Sequence, residues 1–286
     1  MKLAETPILP ARLPYYLTGA SNPSSRAAAS GELRGQLGLL IAPGNASSYA
    51  AHVPDYSVWA MDNGCFTSGG AFDGDEYLRT IDRILKRHPE AHDRALFATA
   101  PDVFDPVAMK GDPRATLERS APYFDRIRDA GMPVALVAQD GLEDMMDEIP
   151  WDDFDTLFLG GSDDFKLGYF HEKKSTGYPV YLRGNGASER WALLMNEALE
   201  RGKDIHVGRS NSYARLNWGY QIGANSADGT LLAFGPEKNL ERIKKWYPKL
   251  WGDASAAYAE VRELEESIPE SVWRVAEALM EKGAAA

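Results

Sequence analysis

Short, near-continuous apolar runs bounded by turn residues recur along the chain, separated by stretches with helical spacing of apolar positions. Eight runs fall at 15–17, 38–42, 57–61, 95–99, 133–138, 156–159, 205–208 and, more weakly, 225–227. A strand with one face in water alternates apolar and polar residues, whereas a strand covered on both faces does not, so these runs predict a parallel sheet beneath helices. Helix signals fill the gaps. Asp112 and Pro113 read as N-cap and first helical residue, Leu117, Ala121, Phe124 and Ile127 follow at helical spacing, and Gly131 ends the segment. Ser188 precedes Trp191, Leu194, Met195, Ala198 and Leu199, with Gly202 as the stop, and a further helix is expected over 212–223. Ser267 and Glu270 form a capping box, with Pro269 in the first turn, opening a last helix through Val272, Ala276 and Leu279.

Strands interleaved with helices in this way predict an α/β fold, a (β/α)8 TIM barrel over 1–235 with a C-terminal helical extension over 236–286 packed on it. A doubly wound open sheet fits the same pattern. Two stretches break the alternation. Residues 1–37, rich in Pro, Ser and Ala, read as a lead-in with one strand and a loop. Residues 167–187 are too long for an ordinary connection and read as an insertion with its own short hairpin around 180–182.

Composition narrows the function. With 286 residues, 44% of them hydrophobic and 26% charged, the chain has the make-up of a soluble globular protein. No apolar run approaches the ~20 residues of a membrane span, and no apolar segment precedes a cleavage site near the start, so the expected location is the cytoplasm. The single cysteine, Cys65, excludes an intrachain disulfide and a zinc site of several cysteines. The 31 Lys and Arg against 42 Asp and Glu give a net charge of −11, which weighs against a nucleic-acid partner. The distribution alters that view: residues 139–164 hold ten acidic residues and no Lys or Arg, whereas 200–249 hold nine basic residues against five acidic ones, including Arg209, Arg215, Lys244 and Lys245. A nucleic acid is expected along the second stretch, with the acidic connection facing away.

In a parallel barrel the chemistry sits at the C-terminal ends of the strands. The residues placed there are Asp62 to Phe66, Asp102 and Asp105, Gln139 and Asp140, Gly160 to Ser162, Arg209 to Asn211, and Asp228 to Thr230. Two carboxylates from different strands can divide the work of a displacement at an anomeric carbon, one attacking and the other handling protons. No metal site is expected, because the chain has no paired-histidine motif and His52, His88, His92, His171 and His206 are scattered. Each residue also has a plainer reading: Asp62 and Asp228 as turn or cap residues, Gln139 as a partner for buried backbone, Gly160 and Gly161 as a turn, Cys65 as a small packed residue, and Lys166 and Arg209 as solvated surface instead of phosphate ligands.

Taken in order, Met61-Asp62-Asn63-Gly64-Cys65-Phe66, Val137-Ala138-Gln139-Asp140-Gly141, Phe158-Leu159-Gly160-Gly161-Ser162 and Gly223-Ala224-Asn225-Ser226-Ala227-Asp228-Gly229-Thr230 resemble the tRNA-guanine transglycosylases. The segment from His206 to Ser212, with Arg215 and Leu216, looks closer to their phage and bacterial DNA-modifying relatives, the DpdA family. The resemblance spans about residues 15–230. It implies a barrel that cuts guanine from its sugar in DNA and inserts a 7-deazaguanine, such as 7-cyano-7-deazaguanine, with no cofactor. By motif match Asp228 would be the nucleophile on C1′ and Asp62 the general acid/base. Asp102, in preference to Asp105, would bind the purine with Gln139, Gly160, Gly161 and Phe66, and Lys166, Arg209 and Arg215 would contact the nucleic acid. The tRNA enzymes carry three cysteines and a histidine on zinc, which a chain with one cysteine lacks, and this favours the DNA branch. Asn63 and Cys65 stand where that family commonly has Ser and Gly. A hydrolytic N-glycosidase and a catalytically inactive barrel used for binding are the alternatives.

Overall fold

The computed structural model describes residues 13–105, 110–162, 165–166, 170–172, 179–181 and 187–267. Eight strands, β1 (Tyr15–Thr18), β2 (Leu37–Ile41), β3 (Trp59–Met61), β4 (Ala95–Thr99), β5 (Val134–Ala138), β6 (Thr156–Leu159), β7 (Asp204–Val207) and β8 (Ser226–Gly229), follow one another around a closed barrel. Every pairing is parallel, and β8 returns to β1 with Leu17 opposite Asp228. This is the (β/α)8 barrel, and closure rules out the open doubly wound sheet. Each strand matches its apolar run to within two residues at either end.

Alternation along the strands sorts the side chains into two buried layers. Tyr15, Leu17, Leu40, Val58, Ala60, Phe97, Ala135, Val137 and Phe158 form a cluster inside the barrel. Their neighbours, among them Tyr16, Leu39, Ile41, Trp59, Met61, Leu136, Leu157 and Val207, pack outward against the helices. A strand with apolar residues on both faces reads as a continuous run, which is why the pattern was visible.

The helices begin where short polar side chains satisfy free amides. α1 (Pro23–Ser30) is capped by Asn22 and lies in the stretch expected to be loop; the signal was the Asn-Pro pair at its start. A short α2 (Ala46–Tyr49) follows β2. In α3 (Gly74–Arg87), capped by Asp73, Tyr77, Ile81 and Ile84 are buried. The Tyr77 hydroxyl donates to the Thr99 carbonyl at 3.0 Å, tying the helix to the end of β4. Asp112 caps α4 (Pro113–Ser120) as expected, but Pro122 cannot donate to the helix ladder, so a 3₁₀ turn separates α4 from α5 (Phe124–Asp129). The connection from β5 to β6 contains only 3₁₀ turns. Ser188 lies inside α6 (Ala187–Glu200), one residue past its start, and Ser212 caps α7 (Tyr213–Gln221).

α8 (Pro236–Ser267) buries Leu240, Ile243, Trp246, Tyr247 and Leu250, and the Tyr247 hydroxyl donates to the carbonyls of Pro14 and Gln36 at 2.9 and 3.0 Å. Ser267 continues this helix instead of capping another one, and the remainder of the expected last helix lies outside the described residues. Within the insertion, Phe170–Glu172 pairs antiparallel with Pro179–Tyr181, and most of 167–187 lies outside the described residues. No described helix is long and apolar enough to cross a membrane.

Candidate functional site

The inward alternation does not stop where the strands end. Val58 and Ala60 are followed at the same period by Asp62, Ala135 and Val137 by Gln139, and Ser226 by Asp228. Polar groups therefore replace apolar ones at one level, the C-terminal mouth of the barrel. The Gly64 amide donates to Asp62 Oδ1 at 2.6 Å, an Asx-type turn that turns the chain away while the carboxyl stays over the interior. Burial, with smaller additions from the charges of Asp228 and Asp102, outweighs the Gly64 bond and pushes the Asp62 carboxyl up from 3.8 to about 7. The residue keeps a partly exposed edge.

Asp102, 7% exposed, is held from two sides: Gln139 Nε2 donates to Oδ2 at 2.6 Å and Asn63 Nδ2 to Oδ1 at 3.1 Å. Burial raises the pKa of this carboxyl as well, against the Asn63 bond. Gln139 bonds a carboxylate here and not buried backbone. A two-strand ribbon, Phe104–Asp105 with Lys110–Gly111, lies over it so closely that a Cβ on Gly111 would fall 2.1 Å from the Gln139 amide. Asp105 stays on the exposed side of that ribbon. Of the two candidates after β4, Asp102 is the one in the mouth.

Across the barrel, Asp228 Oδ1 accepts from His206 Nε2 at 3.1 Å and from the Arg209 amide at 3.2 Å. His206 Nδ1 lies 2.8 Å from Ser226 Oγ. Arg209 adopts φ 60°, the only left-handed conformation outside glycine among the described residues. Its guanidinium stands 4.9 Å from the centre of the Phe66 ring, which itself packs on Phe104 at 4.8 Å and is 45% exposed. Arg209 Nη2 donates to the carbonyls of Gly160 and Gly161 at 3.1 and 3.2 Å, and both glycine amides bond the Ala138 carbonyl at 3.1 Å. The backbone groups assigned to a purine thus already have partners inside the protein. The glycines also answer a packing need: a Cβ on Gly160 would lie 2.5 Å from Val137 Cγ1, and one on Gly161 2.6 Å from Asp140 Oδ2. Asp140 binds the Ser162 hydroxyl and, at 2.7 Å, its amide.

The expected basic side divides. Arg209 and Arg215 stand at the mouth, the latter donating to the Arg209 carbonyl at 3.2 Å. Lys166 is neither solvated nor at the surface: it is 1% exposed and donates to the Gly208 carbonyl at 3.1 Å, which removes it from the groups facing solvent. Lys203 bonds the Phe154 carbonyl at the opposite end of the barrel, Arg201 lies over Trp151 there, and Lys244 pairs with Glu32 and Glu241. Cys65 is buried and free.

Sequence reasoning named His206 and Asn63 but gave neither a role in the site. Both carried a signal: His206 occupies an inward position in an apolar run, and Asn63 sits between a strand-end Asp and a glycine. Among the described residues no group of three or more His, Cys, Asp or Glu side chains is arranged to hold a metal ion. Chemically the mouth offers a carboxyl that exchanges its proton near neutrality, a second carboxylate held by one oxygen, and a linked amide and carboxyl able to read donors and acceptors on a planar ring. Fold and site together define a (β/α)8 barrel with its carboxyl groups gathered at the C-terminal mouth. No protein-family model matches the chain, and no curated protein matches it.

Proposed function

We propose that the protein is a guanine transglycosylase that exchanges guanine for a 7-deazaguanine base in DNA. The observation that carries this reading is the pairing of roles at the mouth: Asp62, with its pKa lifted to about 7, shares an electrostatic neighbourhood with Asp228, whose Oδ1 is held by two N–H donors. In the first half-reaction an Asp228 oxygen donates its lone pair to C1′ while the C1′–N9 pair leaves with guanine, whose N9 takes the proton from Asp62. In the second, the incoming base returns a proton to Asp62 from its own N9, and N9 displaces the Asp228 ester oxygen from C1′. Protons and electron pairs balance over the cycle, and a carboxyl near 7 suits both transfers at neutral pH. The oxocarbenium-like transition state is stabilised by the carboxylate of Asp228. Asp102 and Gln139 read the purine edge, and Arg209 and Arg215 face the nucleic acid. The reacting nucleotide enters unpaired or flipped, at a cost of a few kcal/mol.

The test incubates the protein with guanine-containing DNA, single- and double-stranded, and labelled 7-cyano-7-deazaguanine. Incorporation of label with release of guanine is the expected result. Guanine release leaving an abasic site would assign a hydrolytic glycosidase instead, and neither product on either substrate would leave a barrel that binds without catalysing. Retention of exchange by Asp228→Ala would overturn the assignment of the nucleophile.

A further inference from the structure

His206 is fully buried, its ring 4.4 Å from that of Phe158 and 4.8 Å from that of Phe97. A buried imidazole needs a partner at each nitrogen, and both partners come from β8, Ser226 at Nδ1 and Asp228 at Nε2. A carboxylate oxygen only accepts, so Nε2 carries the hydrogen. The Arg209 amide reaches the same oxygen. Both donors thus meet on Oδ1, and among the described residues none is bonded to Oδ2. The Asp228 side chain is 13% exposed while that of His206 is at 0%, so the carboxylate lies between the imidazole and the open mouth.

We infer that His206 is a positioning residue for Asp228: with the Arg209 amide it fixes Oδ1, and Oδ2 is the oxygen that attacks C1′. This rests on the base-exchange reading and names the atom that performs its first step. The terminal torsion of an aspartate is soft and two-fold, so an unheld carboxylate would interchange its oxygens and sample poor approach angles. A planar ring locked between two aromatic side chains removes that freedom. His206 transfers no proton. The electron pair that forms the C1′–O bond is that of Oδ2, and the proton taken by guanine N9 is that of Asp62.

Two variants separate positioning from packing. His206→Phe keeps the ring volume between Phe97 and Phe158 and loses both polar contacts, whereas His206→Gln presents an amide N–H toward Oδ1. With folding verified by melting and circular dichroism, His206→Phe is expected to lower kcat about 10–100-fold, the scale of a misplaced reacting group, with KM within about threefold. His206→Gln should recover at least about fivefold of that loss. A folded His206→Phe enzyme with wild-type kcat, or equal impairment in both variants, would overturn the inference. A second measurement does not depend on turnover. In protein labelled with 15N-histidine, the Nε2–H signal of His206 should be protected from exchange, persist in Ser226→Ala and vanish in Asp228→Ala. Its absence from the wild type, or its persistence in Asp228→Ala, would overturn the contact even where His206→Phe fails to fold. If the wild type exchanges no base while the protected signal behaves as expected, the base-exchange reading fails and the His206 contact stands.

Discussion

Replacing Asp62 with Asn removes a carboxyl whose ionisation the fold resists. The displacement from 3.8 to about 7 is worth about 4 kcal/mol at 1.36 kcal/mol for each pH unit. Below 3.8 the group is protonated in folded and unfolded chains alike and costs nothing. As pH rises toward 7 the unfolded chain releases a proton that the folded one retains, so the wild type loses stability across that window and the loss is complete above it. Asn keeps an Oδ1 for the Gly64 amide, so the turn survives. Somewhat over a third of the gain is already present at pH 5, and the advantage of Asp62→Asn over the wild type therefore widens by about 3 kcal/mol between pH 5 and pH 8.5. Urea unfolding followed by tryptophan fluorescence at both pH values measures it. An advantage that stays constant, or shrinks as pH rises, would refute the account of a carboxyl held protonated by burial.

Other outcomes follow from the same geometry. Asp228→Asn removes a like charge, so the Asp62 carboxyl should titrate below 7 in carboxyl-carbon NMR; an unchanged midpoint would mean that the two groups do not share a field. Gly160→Ala puts a methyl 2.5 Å from Val137 Cγ1 and should cost about 1–3 kcal/mol in thermal or urea unfolding, and a neutral result would show that the end of β6 yields. Burial first, and the charge of Asp102 second, push the Cys65 thiol up to about 12, so a thiol reagent at pH 8 should modify the protein only after denaturation; rapid modification of the native chain would contradict this.

The barrel was legible because burial on both faces of a strand is written locally, as a continuous apolar run. Asp62, Gln139 and Asp228 were legible for a related reason: each is the next inward position after such a run, and no apolar environment explains it. What was not legible depends on pairing across the chain. Nothing near His206 announces that strand register sets it opposite Ser226, one inward step below Asp228. Lys166 reads as a surface cation until its helical turn is seen to fold beneath Gly208. The count of basic residues over 200–249 was correct, but a βα unit runs from one end of a barrel to the other, so a basic stretch in sequence is split between two faces in space.

Arg209 bears on how anything binds at this mouth. Its guanidinium is a flat, cationic set of N–H donors resting near an aromatic face and bonded to two adjacent carbonyls. Binding at those carbonyls is therefore a replacement and not the filling of a void. Each N–H that a ligand offers to Gly160 or Gly161 is set against one that the protein gives up, so direct hydrogen bonds there contribute little net affinity. Preference among ligands then falls to whatever draws the displaced arginine outward, and an anionic group on the ligand would do so where a neutral one would not.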